Sequence, residues 1–388
     1  MKEYGTLMNR SITLLLAIGC TLALLVSACG GGDDGAEVRE LGSDGGSTSA
    51  SAGSASSSAS SSGVSPADTA DTPGDGGYEY ASNVDSHRLV VADICDIAEA
   101  VDDFDWDTVE TLYRDGKNSV NSDGSVRTIG GFAARDDRNH GLNDYYGTPA
   151  PLDEFVTSAI DGTGDFAGES DSVRAQGVEK GIQNQTMVAW TIHELNSALA
   201  KADDGNFDIA EGAVHNWDEG WAFFHGAEPG CAPYATGDKR AANFGTVGAD
   251  DATALANEGL LAAMIEGRDA LVAGDADGAR NAADEAIRNL AITYSQATIR
   301  YAHLIAGDLA EGDNETARVH QAEGYAFWRV MEPVLVGVGA DGDAINAILD
   351  LANEPGANGT AADIRQALAP AWETLGISES DIGTLDGE

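Results

Sequence analysis

Basic residues are scarce in this chain. Lysine and arginine total 21 against 65 aspartates and glutamates, giving a formal net charge of -44 over 388 residues. Such a balance excludes a nucleic-acid binder or an anionic-membrane binder acting through bulk electrostatics. It fits a solvated acidic surface suited to high salt, or a field that concentrates cations. No β-branched alternating run of any length occurs, which argues against a sheet protein. Gly-x-Ser-x-Gly elbows, phosphate loops and dinucleotide fingerprints are all missing. Two near-matches also fail. An EF-hand beginning at Asp204 needs Gly where Ile209 stands and Glu where His215 stands. Trp190-Thr191-Ile192-His193-Glu194 lacks the second histidine of a zincin helix.

Only four cysteines are present. Cys20 lies in an apolar run, Ile12 to Val26, preceded by Lys2 and Arg10, the pattern of a secretory signal over residues 1–28. Val26-Ser27-Ala28-Cys29 resembles a bacterial lipobox, so Cys29 is the expected lipidation site and the expected location is the cell envelope. The membrane is then reached through an N-terminal lipid, periplasmic or at the cell surface. Residues 29–78 are Gly, Ser, Ala and Asp with almost no large apolar side chain, the composition of a disordered tether. Cys95 and Cys231 remain, and an oxidising compartment allows one disulfide between them or two buried thiols.

From residue 79 to 388 the pattern is helical. Leu89, Val90, Ile94, Ile97 and Val101 follow a period near 3.6 within Asp85–Val101. Further helices are expected at Trp106–Arg114, Ser172–Lys201, Ile209–Phe224, Ala252–Ala273, Ala276–Leu309, Glu315–Val336, Ala344–Ala352 and Ala361–Leu375. Acidic Gly turns such as "KADDGN", "VAGDAD" and "AEGDNE" separate them. Asn118–Asp171 and Pro229–Ala249, rich in Gly, Pro and Asn, are expected to be long ordered loops.

Within this domain the chain repeats itself. A shift of 105 lays Ile182 on Ile287, Asn184 on Asn289, Val214 on Val319 and His215 on His320; one residue then drops out and "EGWAFF" (Glu219–Phe224) meets "EGYAFW" (Glu323–Trp328). Each copy, about 177–228 and 282–332, reads as a long helix, an acidic turn and a His-carboxylate helix. The fold class implied is all-α, duplicated helical hairpins packed as one or two bundles.

Residues three and four apart share a helix face, with Cβ atoms about 5–6 Å apart. His215 therefore neighbours Asp218 and Glu219, and His320 neighbours Glu323. An imidazole with an adjacent carboxylate can hold a metal ion, with facing helices completing the shell. A nitrogen and oxygen donor set without thiolate suits iron, manganese or zinc. The flanking aromatics Trp217, Trp221, Phe223, Tyr325, Phe327 and Trp328 would fill the core around it. Two rivals stand beside an ion-binding protein. One is a di-iron or other metalloenzyme, and the other is a TPR-like scaffold, suggested by the turns, that binds no metal.

Several blocks carry a family likeness: "LYRDGKNSVNSDGSVRTIGGFA" (Leu112–Ala133), "NDYYG" (Asn143–Gly147), "EKGIQNQ" (Glu179–Gln185), "HNWDEGWAFFHG", "CAPYATGDKRAANFGT" (Cys231–Thr246), and "SQATIRYAH" leading into "AEGYAFW". Together they resemble the low-iron-inducible periplasmic proteins, the algal iron-assimilating proteins and phytotransferrins. The resemblance implies capture of ferric iron outside the cytoplasm, with no turnover, a synergistic carbonate, and delivery to a transporter or receptor. It makes Arg300 an anion clamp and Tyr301 a phenolate ligand, with Tyr145 and Tyr146 as further phenols. His320-Gln321-Ala322-Glu323 is also similar to the His-x-x-Glu motif of imelysin-like lipoproteins. His215-Asn216-Trp217-Asp218 matches it with Asp for Glu, and the Gly that precedes the motif is absent.

Overall fold

The computed structural model describes residues 72–136 and 138–386; the signal segment, Cys29 and the Gly/Ser/Asp stretch up to residue 71 lie outside the described residues. Among the described residues there are isolated bridges but no strand, and helices carry the fold. The first group is α1 (Asp85–Arg88), α2 (Val91–Asp102), α3 (Trp106–Asp115), α4 (Ile129–Ala133), α5 (Leu142–Tyr146) and α6 (Pro151–Asp161). Helix α7 (Asp171–Lys180) continues through a π-helical turn, Gly181–Thr186, into α8 (Met187–Asp203). Then come α9 (Ala213–Phe224), α10 (Pro233–Phe244), α11 (Leu255–Val272), α12 (Ala276–Glu311) and α13 (Asn314–Gly337). The chain closes with α14 (Gly342–Leu349), α15 (Ala361–Leu375) and α16 (Glu379–Ile382).

The all-α expectation holds, and the acidic Gly turns work as the sequence suggests. Gly312 caps α12 in the left-handed conformation, which costs a residue without Cβ little, and Asp313 opens α13 by accepting from the amide of Thr316. The two turn residues thus end one helix and begin the next, folding α13 back along α12. Asp275 caps the start of α12 in the same way, through Gly278. α9 likewise lies along α8, so two hairpins are formed, α8/α9 and α12/α13.

The two long loops are not loops throughout. Asn118–Asp171 contains α4, α5 and α6, and Pro229–Ala249 contains α10. Pro151 and Pro233 sit in the first turn, where a missing N–H costs nothing, and Gly162 and Gly245 close the helices in the left-handed region. The Pro and Gly content that looks like loop composition marks helix ends, which crowd together when helices are short. Part of the stretch read as tether is packed against the helices. Asp75 and Tyr78 are buried, Trp221 donates to the Asp75 carbonyl, and Arg88 forks onto the Asp75 carboxylate.

The core is lined by large aromatics. Trp190, Trp217, Trp221, Phe223, Phe224 and Trp328 are fully buried, and Tyr325 and Phe327 nearly so. Cys95 on α2 and Cys231 ahead of α10 form a disulfide, with Cα atoms 5.8 Å apart and a sequence separation of 136.

The packing can be tested at two positions. A methyl group at Gly267 on α11 would lie 1.9 Å from the Trp217 ring of α9. Gly267→Ala is therefore expected to lower stability by about 3 kcal/mol in urea unfolding; an unchanged midpoint would show that the two helices do not meet as described. Asp93 is buried on α2 and accepts from the Asn118 amide. Burial pushes its carboxyl up to about 7 against the opposing backbone hydrogen bonds. Between the ordinary aspartate value of about 4 and this raised one, the folded state alone holds the proton, so stability contributed by Asp93 falls as pH rises through that window. Asp93→Asn should flatten that decline in unfolding curves taken at pH 4.5 and 7.5, and an unaltered slope would count against it.

Candidate metal centres on the two helical hairpins

The first hairpin gathers four side chains from three helices. His215 and Glu219 lie one turn apart on α9, and His215 Nε2 is 3.0 Å from Glu219 Oε1. His87, on the short helix α1, places its Nε2 3.1 Å from the same oxygen. Glu194, fully buried on α8, hydrogen-bonds to Glu219. Burial alone would push the Glu219 carboxyl up, but the His87 and His215 imidazoles, with hydrogen bonds from His215 and Glu194, hold it well below the usual carboxylate range. Burial likewise works to lower His215, yet Glu219 outweighs it and raises the imidazole above its ordinary value. Asn216 donates its amide N–H groups to both Glu194 and Glu219, while its Oδ1 is buried without a partner.

Asp218 is not turned toward this centre. Its Oδ1 accepts from Tyr78 OH at 2.6 Å, and its Oδ2 accepts from the amides of Ala81 and Ser82 and from Ser82 Oγ. Ser82 Oγ in turn meets His215 Nδ1 at 3.1 Å. With Nδ1–H given to Ser82, the ring presents Nε2 to Glu219, which is how an outer carboxylate orients a ligating imidazole. Asp218 is thus a bracket behind His215, tying residues 78–82 to α9 and supporting the imidazole through Ser82.

The second hairpin repeats the device with different surroundings. His320 Nδ1 is held by Asp308 Oδ2 of α12 at 2.6 Å, and Nε2 faces Glu323 Oε2 at 3.9 Å, beyond a direct hydrogen bond. Tyr301 OH donates to Glu323 Oε1 at 3.0 Å, and Arg240 Nη1 reaches the phenol oxygen at 3.3 Å. Arg300 covers the Tyr301 ring, and Lys180 lies 3.9 Å from Glu323 and 2.6 Å from Glu179. Neither Arg240 nor Arg300 forms an ion pair among the described residues, and Arg240 Nε is buried without a hydrogen-bond partner. Burial, reinforced by the neighbouring Arg240, lowers Arg300 from its ordinary value. Burial and Glu323 together raise the Tyr301 phenol. In a chain so poor in cations, two guanidiniums that form no ion pair among the described residues thus stand beside one phenol.

The repeat pairs do not share one pocket. Lys180 marks the second centre and Glu194 the first, and the fourteen residue steps from one to the other in one helical run span on the order of 20 Å. Tyr145 and Tyr146 belong to neither. Their hydroxyls donate to Glu332 at 3.1 and 2.6 Å, with Arg329 over the Tyr146 ring. Sequence reasoning passes over His87, Glu194, Arg240 and Lys180. Only Glu194 carried a signal, as the acid of the rejected zincin-like phrase; the others arrive by tertiary approach.

Among the described residues no three His, Cys, Asp or Glu side chains are already spaced as a metal shell. The Nε2 atoms of His87 and His215 both close on Glu219 Oε1 at hydrogen-bond length. Asp218→Ala removes the acceptor of four bonds at once and leaves buried donors unmet. It should cost about 3 kcal/mol or more, measured by denaturant unfolding, and an unshifted midpoint would show that the bracket carries no stability.

No curated protein and no solved structure matches the chain. A family model does, over residues 51–388, and its description is low iron-inducible periplasmic protein. That span takes in both hairpins and both centres: the chain belongs to the low iron-inducible periplasmic protein family.

Proposed function

We propose that the protein captures ferric iron outside the cytoplasm, by binding and without turnover, and passes it to a transporter or receptor. The family's description supports an extracytoplasmic place and a role tied to iron supply. A lipid on Cys29 would keep the domain at the cell envelope, where a strongly acidic surface concentrates cations.

The observation that carries the ferric reading is the Tyr301 centre. Fe³⁺ is a hard ion that prefers phenolate, carboxylate and imidazole. Tyr301 OH, Glu323 and His320 Nε2 offer one of each, on one hairpin. The phenol is raised by burial and by Glu323, so it needs a strongly charged ion to take its proton's place. Arg240 and Arg300 supply two unpaired guanidiniums at the same phenol. They suit a small oxyanion such as carbonate, which would complete the shell and offset their mutual repulsion. Asp308, behind His320, keeps Nε2 turned toward Glu323. The burial of Arg240 also speaks against a plain scaffold, since packing alone gives no reason to bury an arginine that forms no ion pair among the described residues.

Titrating the purified chain with a ferric chelate, with and without bicarbonate, tests this. A phenolate-to-iron charge-transfer band should appear, and only with bicarbonate. Tyr301→Phe should abolish the band, and Arg240→Gln should raise the bicarbonate needed by about tenfold, the loss of one charge-assisted bond of about 1.5 kcal/mol. A band that survives Tyr301→Phe would move the iron elsewhere.

A further inference from the structure

The first centre differs in kind from the second. It offers two imidazole nitrogens, from His87 and His215, two buried carboxylates, Glu194 and Glu219, and the unpartnered buried amide oxygen of Asn216. It has no phenol of its own, because Tyr78 is engaged with Asp218. Among the described residues Glu219 meets no lysine or arginine; only imidazoles, the Asn216 amide and Glu194 touch it. Counted over these four ligands alone, two carboxylates and two neutral imidazoles balance a charge of +2, with His193 Nε2 a further 3.7 Å from Glu194 Oε1. A trivalent ion would leave one positive charge uncompensated in a buried site, where that is costly.

From this geometry we propose that His87, Glu194, His215 and Glu219 form a second binding site, for a first-row divalent cation such as Zn²⁺, Co²⁺ or Fe²⁺, separate from the ferric site at Tyr301. The proposal rests on the ferric reading only in assigning the trivalent ion to the other centre. Nitrogen and carboxylate donors without thiolate match such ions. On binding, the cation replaces the protons that join the two Nε2 atoms to Glu219 Oε1. Half a turn of the Asn216 amide then exchanges its N–H donors for Oδ1, giving a further oxygen where the two carboxylates meet. The Ser82–Asp218 bracket already fixes the His215 ring with Nε2 inward, so the imidazole needs little rearrangement.

Co²⁺ is the probe, added to the full chain at high salt so that the acidic surface does not compete. One equivalent should bind with the intense visible bands of a four- or five-coordinate ion. X-ray absorption of that cobalt-loaded native chain should show about two imidazoles. His87→Gln and Glu219→Gln should each weaken binding at least tenfold, whereas Tyr301→Phe should leave it unchanged. An all-oxygen shell in the native chain overturns the proposal whether or not the variants fold. So does cobalt binding that is indifferent to both substitutions in variants that melt as the native chain does. Loss of the bicarbonate-dependent ferric band with cobalt binding intact would sink the ferric reading alone. The converse result would sink only this one.

Discussion

A buried carboxylate must find a positive partner or give up its charge, and this chain has few positive partners to offer. That constraint organises the domain around Glu219 and Glu323. Each sits on the second helix of a hairpin, one turn or less beyond a histidine and beside an aromatic cluster; Glu219 is buried and Glu323 half-buried. At Glu219 the compensation comes from imidazoles, which cost no permanent charge elsewhere in the fold. At Glu323 it comes from a phenol hydroxyl and a lysine, with two arginines just behind. The long run from α7 through the π-helical turn into α8 serves both, supplying Lys180 to one centre and Glu194 to the other. A π turn widens the helix and shifts the angular phase of the residues after it. Here all six of its residues are buried, between the stretches that reach the two sites.

The structure behind each histidine shows how position is enforced. An imidazole can present either nitrogen, and the choice is fixed by the bond that the other nitrogen makes. Asp308 does this directly for His320, and Asp218 does it through Ser82 for His215. The Asp218 arrangement also explains why residues 78–82, ahead of α1, are packed against α9. Tyr78, Ala81 and Ser82 all bond to one α9 carboxylate, and that anchor carries His87 into contact with Glu219. Without the segment from 75 to 88 the first centre would keep one imidazole and lose the other.

Much of the architecture was legible in sequence because it is local. The 3.6 period, the paired Gly-Asp turn at 312–313 and the twin aromatic phrases all act within a few residues, and the helices appear where these signals place them. The helices α4, α5, α6 and α10 were missed because the Pro and Gly in and around them read as loop composition. At the centres, His215 with Glu219 and His320 with Glu323 were visible as helix neighbours. His87 comes from a four-residue helix and Arg240 from α10, and nothing in the sequence around either says what it will face. Asp218 shows the limit from the other side: its spacing puts it on the face beside His215, and only the approach of residues 78–82 decides that it points away.

The two hairpins keep one frame, a histidine oriented from behind by an aspartate with its far nitrogen toward a glutamate on its own helix. The difference lies in the groups that the rest of the fold brings to that frame. Histidine, glutamate and an amide oxygen surround Glu219, a set of donors with net charge near -2. Tyrosine, arginine and lysine surround Glu323, a set able to give up a phenolic proton and still hold an anion. Under the proposed assignment of a trivalent ion to one centre and a divalent ion to the other, the preserved frame and the altered charge belong together, because in a buried site charge balance discriminates between +2 and +3 more sharply than distance does.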